Sequence, residues 1–232
     1  MASPSTRASL KAVKRRAPLD RTSLSEIVHI RVGPELKDFG VHKDLIYHYS
    51  PYFKAVFNSG FEETKTGVMN LAETGVKPFE LFVSWLYTQS VWNNSDHEET
   101  WPDIDDLVKL YILADMAQVP SLMNQTLDAM QDISDLKTDF PSVGVLAFIW
   151  NYTLDTSQLR RLVIDWIVWN VDEFSIYADW VSELPNNCIL EVLKAAGKIT
   201  KRYRQTDEGY NANPLLTMTN YHVPENAGKD SS

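Results

Sequence analysis

The chain has 232 residues, 44% hydrophobic and 11% aromatic, with a formal net charge of −9, an apolar content that excludes a wholly disordered chain. Cys188 is the one cysteine, so an internal disulfide framework is ruled out and a reducing compartment, nucleus or cytoplasm, is expected. No apolar run approaches the ~20 residues of a membrane-spanning helix, and the N-terminus has no apolar signal core.

Residues 1–23 are rich in Ser, Ala, Lys and Arg and read as a disordered basic arm. Six basic residues and one acid among the first 21 give this arm +5, which leaves −14 for the rest. An acidic body repels phosphate backbones, so nucleic-acid binding by the folded part is not expected. Lys14-Arg15-Arg16 has the composition of a nuclear import signal and equally that of a solvated basic tail.

Folded structure is expected from Ser25. Val28, Ile30 and Val32 share one strand face, with His29 and Arg31 on the other. Gly33-Pro34 turns the chain into a second strand, Phe39 and Val41, that ends at His42. Leu45, Ile46 and Tyr49 then recur at helical spacing. Ser50 is placed to cap a second short helix, with Pro51 at its first position and Phe53, Val56 and Phe57 as its stripe. Gly60 supplies a left-handed stop, and Phe61-Glu62-Glu63 follows on a loop.

Val68–Leu71 reads as a third strand, and Phe79, Phe82, Val83 and Leu86 mark a helix ending near Thr88. Residues 93–106 are polar, with acids at Asp96, Glu98, Glu99, Asp103, Asp105 and Asp106. They lack the alternating ligands and central glycine of a calcium loop, and favour the N-terminus of the next helix. That helix carries Ile104, Leu107, Tyr111 and Ala114. Pro120 opens another, with Leu122, Thr126, Ala129 and Ile133 along one side.

The C-terminal half is helical by pattern. Val143, Leu146, Ala147 and Trp150 form one stripe, and Leu159, Leu162, Val163, Trp166, Ile167 and Asn170 a longer one, with Asp155 and Gln158 as a capping box. Ile189, Val192, Leu193 and Ala196 form a third stripe, stopped at Gly197. Trp166, Trp169 and Trp180 are assigned to packing. Residues 205–232 turn polar and read as a disordered tail. The Asn-x-Ser/Thr triplets at Asn93, Asn124 and Asn151 are taken as chance, two of them lying in predicted helices.

No chemistry stands out. The five histidines form no H-x-x-x-H pair, Cys188 lies in an apolar helix, and no phosphate loop or nucleophile elbow occurs. Catalysis, a bound metal and a cofactor are therefore not expected. A metal-dependent enzyme built on the acids at 96–106 is the weakest of the alternatives. What remains is surface chemistry: an exposed Phe61 beside Glu62 and Glu63 can anchor in a partner's pocket while charge sets orientation. The opposing reading folds Phe61 back onto its own helix.

Val41-His42-Lys43, Leu45, Ser50-Pro51-Tyr52-Phe53, Phe57 and Ser59-Gly60-Phe61-Glu62-Glu63 closely resemble the signature of the BTB/POZ domain, a protein-interaction module. The runs Trp85-Leu86-Tyr87-Thr88 and Leu110-Tyr111…Pro120-Ser121-Leu122 extend that resemblance over residues 24–132. It implies an α+β fold, a small sheet flanked by helices, followed by a helical extension at 133–204. It also implies protein partners. Apolar-x-Glu in BTB adaptors that recruit a cullin ubiquitin-ligase scaffold resembles Phe61-x-Glu63, and Glu26 with Lys43 match a charged pair lining the groove of BTB homodimers, where the family usually has Asp at the first position; an ordinary surface ion pair is the other reading of these two residues. The preceding apolar helix of a strand-swapped dimer is represented only by Leu10, Val13, Leu19 and Leu24, so a monomer and a looser dimer stay open. No zinc-finger spacing or kelch-like repeat occurs in these residues. A nuclear scaffolding protein that self-associates through the domain is the second reading.

Overall fold

The β1 strand (Ile27–Val32) buries Val28, Ile30 and Val32 and exposes the residues between them, as strict alternation requires when one face of a sheet meets a core. In the computed structural model, which describes residues 26–92, 100–137, 140–169, 184–203, 215 and 217–225, β1 is the centre of a three-stranded sheet. β2 (Lys37–His42) pairs with it antiparallel, Val28 opposite Val41. The hairpin turn is closed by Gly33 at φ +77°. β3 (Val68–Leu71) pairs with β1 in parallel, Ile30 opposite Met69. A parallel neighbour demands a crossover, and three short helices supply it: α1 (Lys43–Tyr49), α2 (Pro51–Phe57) and α3 (Glu62–Thr66).

Ser50 fixes the corner between α1 and α2. Its Oγ accepts from the Phe53 amide at 3.2 Å and donates to the Ala117 carbonyl at 2.6 Å. One fully buried hydroxyl thus caps α2 and ties it to the turn between α5 (Ile104–Met116) and α6 (Pro120–Lys137). α4 (Val76–Thr88) packs Phe79, Phe82, Trp85 and Leu86 into the same core. Every residue the spacing put on the inner faces of α5 and α6 is buried.

The α+β architecture with a helical extension is as expected, but four details differ. The proposed boundary at 132/133 falls inside α6, which is continuous to Lys137; one buried cluster runs from the sheet through α7 (Val143–Tyr152) and α8 (Gln158–Trp169). α7 is rotated from its expected face: Val145, Leu146, Ile149 and Trp150 are buried, whereas Val143 and Ala147 are half-buried. α8 begins at Gln158, so that side chain is not the third residue of a capping box, and its Oε1 has no hydrogen-bond partner among the described residues. α9 (Asn186–Tyr203) runs six residues past Gly197, and Leu193, expected inside, is 63% exposed.

The tail also departs from expectation. Residues 217–225, placed in a disordered segment from composition, carry a 3-10 turn at Met218–Tyr221 that lies on α6 and α8 with Tyr221 fully buried. The basic arm, Asp96, Glu98, Glu99, Asn170 and Trp180 lie outside the described residues.

Candidate protein-docking surface

α2 ends where its last carbonyls turn outward. Ser59 Oγ donates to the Val56 carbonyl at 2.7 Å, and Gly60 takes φ +82°, a left-handed conformation that a side chain disfavours. The Gly60 amide donates to Thr64 Oγ1 at 2.9 Å. The Phe61 amide donates to Ser59 Oγ at 3.3 Å, and the Phe61 carbonyl accepts from the Thr64 amide at 3.1 Å. Phe61 is therefore held by its main chain while its ring stands 72% exposed. It does not fold back on α2. The loop expected after Gly60 is instead a single helical turn, α3, entered by Glu62 and Glu63 and closed at Gly67, φ +65°. Carboxylates in a first turn suit the partial positive charge there. Glu62 is exposed and Glu63 half-exposed, so the ring and both acids reach solvent.

A second surface lies at the start of β1. Lys43 Nζ donates to Glu26 Oε2 at 2.6 Å, and the Lys43 amide donates to the Glu26 carbonyl at 2.8 Å. The hydrogen bond from Lys43 holds the Glu26 carboxyl below the usual carboxylate range and lifts the ammonium above its own. The two residues thus satisfy one another within one chain. Beside them, His42 Nδ1 lies 2.8 Å from the Tyr87 hydroxyl, which also accepts from the His42 amide at 3.3 Å, a strand-end network rather than a ligand set.

Elsewhere the acids do structural work. Asp103 caps α5 by accepting from the Asp105 amide at 2.8 Å. Asp105 accepts from the amide and hydroxyl of Ser142, at 2.8 and 2.5 Å, and so ties α5 to the start of α7. Among the described residues, no three His, Cys, Asp or Glu side chains converge as metal ligands, and no helix is long and apolar enough to cross a membrane. Burial pushes the Cys188 thiol up to about 12, so it stays protonated and weakly nucleophilic near neutrality.

A family model described as the BTB/POZ domain matches residues 24–134. The chain carries a BTB/POZ domain. The BTB domain accounts for the three-stranded sheet and helices through most of α6, and the domain is a protein-interaction module. Over 152 residues the chain is 27% identical to the Kelch repeat and BTB domain-containing protein 8 of Xenopus tropicalis. That match takes in 66% of this chain and 22% of the relative, so the chain spans about a fifth of the length of the curated protein it matches.

The sequence located Phe61, Glu62 and Glu63 at the surface, and Glu26 beside Lys43. It missed Arg160, buried in the extension, and the side chains that seat Tyr221. No spacing marks these groups, because their partners lie on separate elements.

Proposed function

We propose that the chain acts as an adaptor module whose BTB domain docks onto a cullin-type ubiquitin-ligase scaffold, with Phe61 as the apolar anchor and Glu62 and Glu63 setting orientation. The observation that carries this reading is the ring of Phe61, 72% exposed although both neighbouring main-chain groups are hydrogen-bonded. An anchor whose backbone is fixed in advance loses little conformational freedom on binding. Burying such a ring against a partner contributes about 2 kcal/mol, the size of an interface hot spot. The apolar-x-Glu pattern of cullin-recruiting relatives supports the choice of scaffold, and the helices from α7 onward would widen the contact. Titration of the chain with a cullin N-terminal domain tests it. Binding is expected for the native sequence, and the pair Phe61→Ala with Glu63→Lys should weaken it at least ~30-fold. Unchanged affinity in that double variant would remove these residues from the interface.

A further inference from the structure

The segment 217–225 is held in a way unlike the rest of the fold. Asn124 on α6 meets the main chain of Val223 from both sides: its Oδ1 accepts from the Val223 amide at 2.7 Å, and its Nδ2 donates to the Val223 carbonyl at 3.0 Å. Two positions earlier, the Tyr221 ring is fully buried and its hydroxyl donates to Asp165 Oδ2 on α8 at 2.7 Å. Arg161 lies over that ring at 5.2 Å from its centroid and donates to the Asn220 carbonyl at 3.1 Å. Between these anchors, His222 Nε2 is 2.8 Å from Asp128 Oδ1 on α6.

This is the division of labour found where proteins recognise peptides: main-chain hydrogen bonds for grip, a pocket for one side chain and a charge for its neighbour. The helices need none of it to close their own hydrogen bonds. The segment is also remote in sequence from both walls, 99 residues from Asn124 to Val223 and 56 from Asp165 to Tyr221.

We propose that the groove between α6 and α8 is a peptide-binding site that takes a segment carrying Tyr-His followed by a residue with a free amide, and that its occupant in this chain is residues 217–225 bound in cis. The site is separate from the Phe61 surface and stands whether or not a cullin is the partner. Because non-covalent contacts alone seat the occupant in the groove, it exchanges with an equivalent peptide.

The full chain with a protease recognition sequence inserted between Glu208 and Gly209 provides the test. After cleavage, the C-terminal fragment should stay with the body on size-exclusion chromatography, and an excess of synthetic peptide covering residues 215–226 should displace it. Tyr221→Ala in the fragment and Asn124→Ala in the body should each weaken retention at least ~30-fold. Tyr221→Phe, which keeps the ring, should weaken it less. Thermal melts of the uncut variants show whether the body is folded, so loss of retention is read only from folded protein. Release of the native fragment on cleavage, retention indifferent to both alanine variants, or failure of the peptide to displace it would overturn the proposal. An uncut chain that is dimeric by light scattering and dissociated by the peptide would overturn the cis assignment.

Discussion

Arg160 shows how far one residue can organise the extension. It is 7% exposed, and its guanidinium donates from Nε to Thr153 Oγ1 at 2.9 Å and from Nη2 to the carbonyls of Trp150, at 2.8 Å, and Thr153. Glu191 of α9 lies 3.5 Å from its Nη1, and that carboxylate also accepts from Trp150 Nε1 at 3.3 Å. Arg160 therefore satisfies the open carbonyl end of α7 and pairs with α9 from its seat on α8. Replacing it by methionine keeps the bulk but takes the guanidinium donor from the Trp150 and Thr153 carbonyls and leaves Glu191 with the Trp150 indole alone. Unpaired buried polar groups cost more than the bond itself was worth. Arg160→Met is expected to lower the stability of the chain by about 3 kcal/mol, measured as the urea midpoint at unchanged slope. A loss below about 1 kcal/mol would mean that water replaces the guanidinium and that α9 is not keyed through it. Nothing in the sequence marks Arg160, since it sits one position from the apolar stripe and its partners come from the end of α7 and from α9.

At the scale of elements, the sequence was most readable where one face is wet. β1 alternates because its outer face is exposed, which demands polar residues there; α5 and α6 are buried on most sides, and the residues their spacing picks out are only part of that buried set. α7 was misphased for the opposite reason: its sequence, VGVLAFIWNY, is apolar nearly all round, so spacing selects no single face. Glycine misled once and guided once. Composition places a stop at Gly197, yet it lies inside α9 with open space where a Cβ would stand, so the glycine alone does not end the helix. A stop is also expected at Gly60, and its φ of +82° makes it one. The two should respond oppositely to alanine. Gly197→Ala removes backbone freedom from the unfolded chain without a clash and is expected to stabilise by about 0.5–1 kcal/mol. Gly60→Ala forces a side chain into a left-handed conformation, costs about 1 kcal/mol, and disturbs the turn that presents Phe61. Thermal melts of the two variants check the signs. The segment 217–225 escaped notice because it has no period at all: what holds it is a set of side-chain hydrogen bonds across long sequence separations.

For the molecule as a whole, charge and burial combine in one pH dependence. Burial is the largest cause raising the carboxyls of Asp106, Asp115, Asp132 and Asp165 above the ordinary aspartate value of 3.8. For Asp132, the neighbouring Asp128 and Asp135 add to the shift. A raised carboxyl means that the folded state binds protons that the unfolded state has released. Stability then falls as pH rises from the ordinary value through the raised one. Glu26 and Glu80 work the other way, held below the ordinary 4.5 by hydrogen bonds to Lys43 and to Lys37 and Lys77. Their contribution is lost only as pH falls through those lowered values, so well above 4.5 it is constant and the raised aspartates set the slope. The raised aspartates are therefore expected to take stability from the chain as pH climbs from 3.8 through their raised values at fixed ionic strength, read as melting temperature. Asp106 isolates the cause best, because it is half-buried and burial is the largest influence on it, whereas Asp115 and Asp132 stand exposed at the surface. Asp106→Asn removes the charge that burial penalises, so it should raise stability at neutral pH and lessen the loss of stability as pH rises above 3.8. An asparagine variant whose stability falls with pH as steeply as that of the native chain would show that this carboxyl is solvated in the folded state and that burial does not govern it.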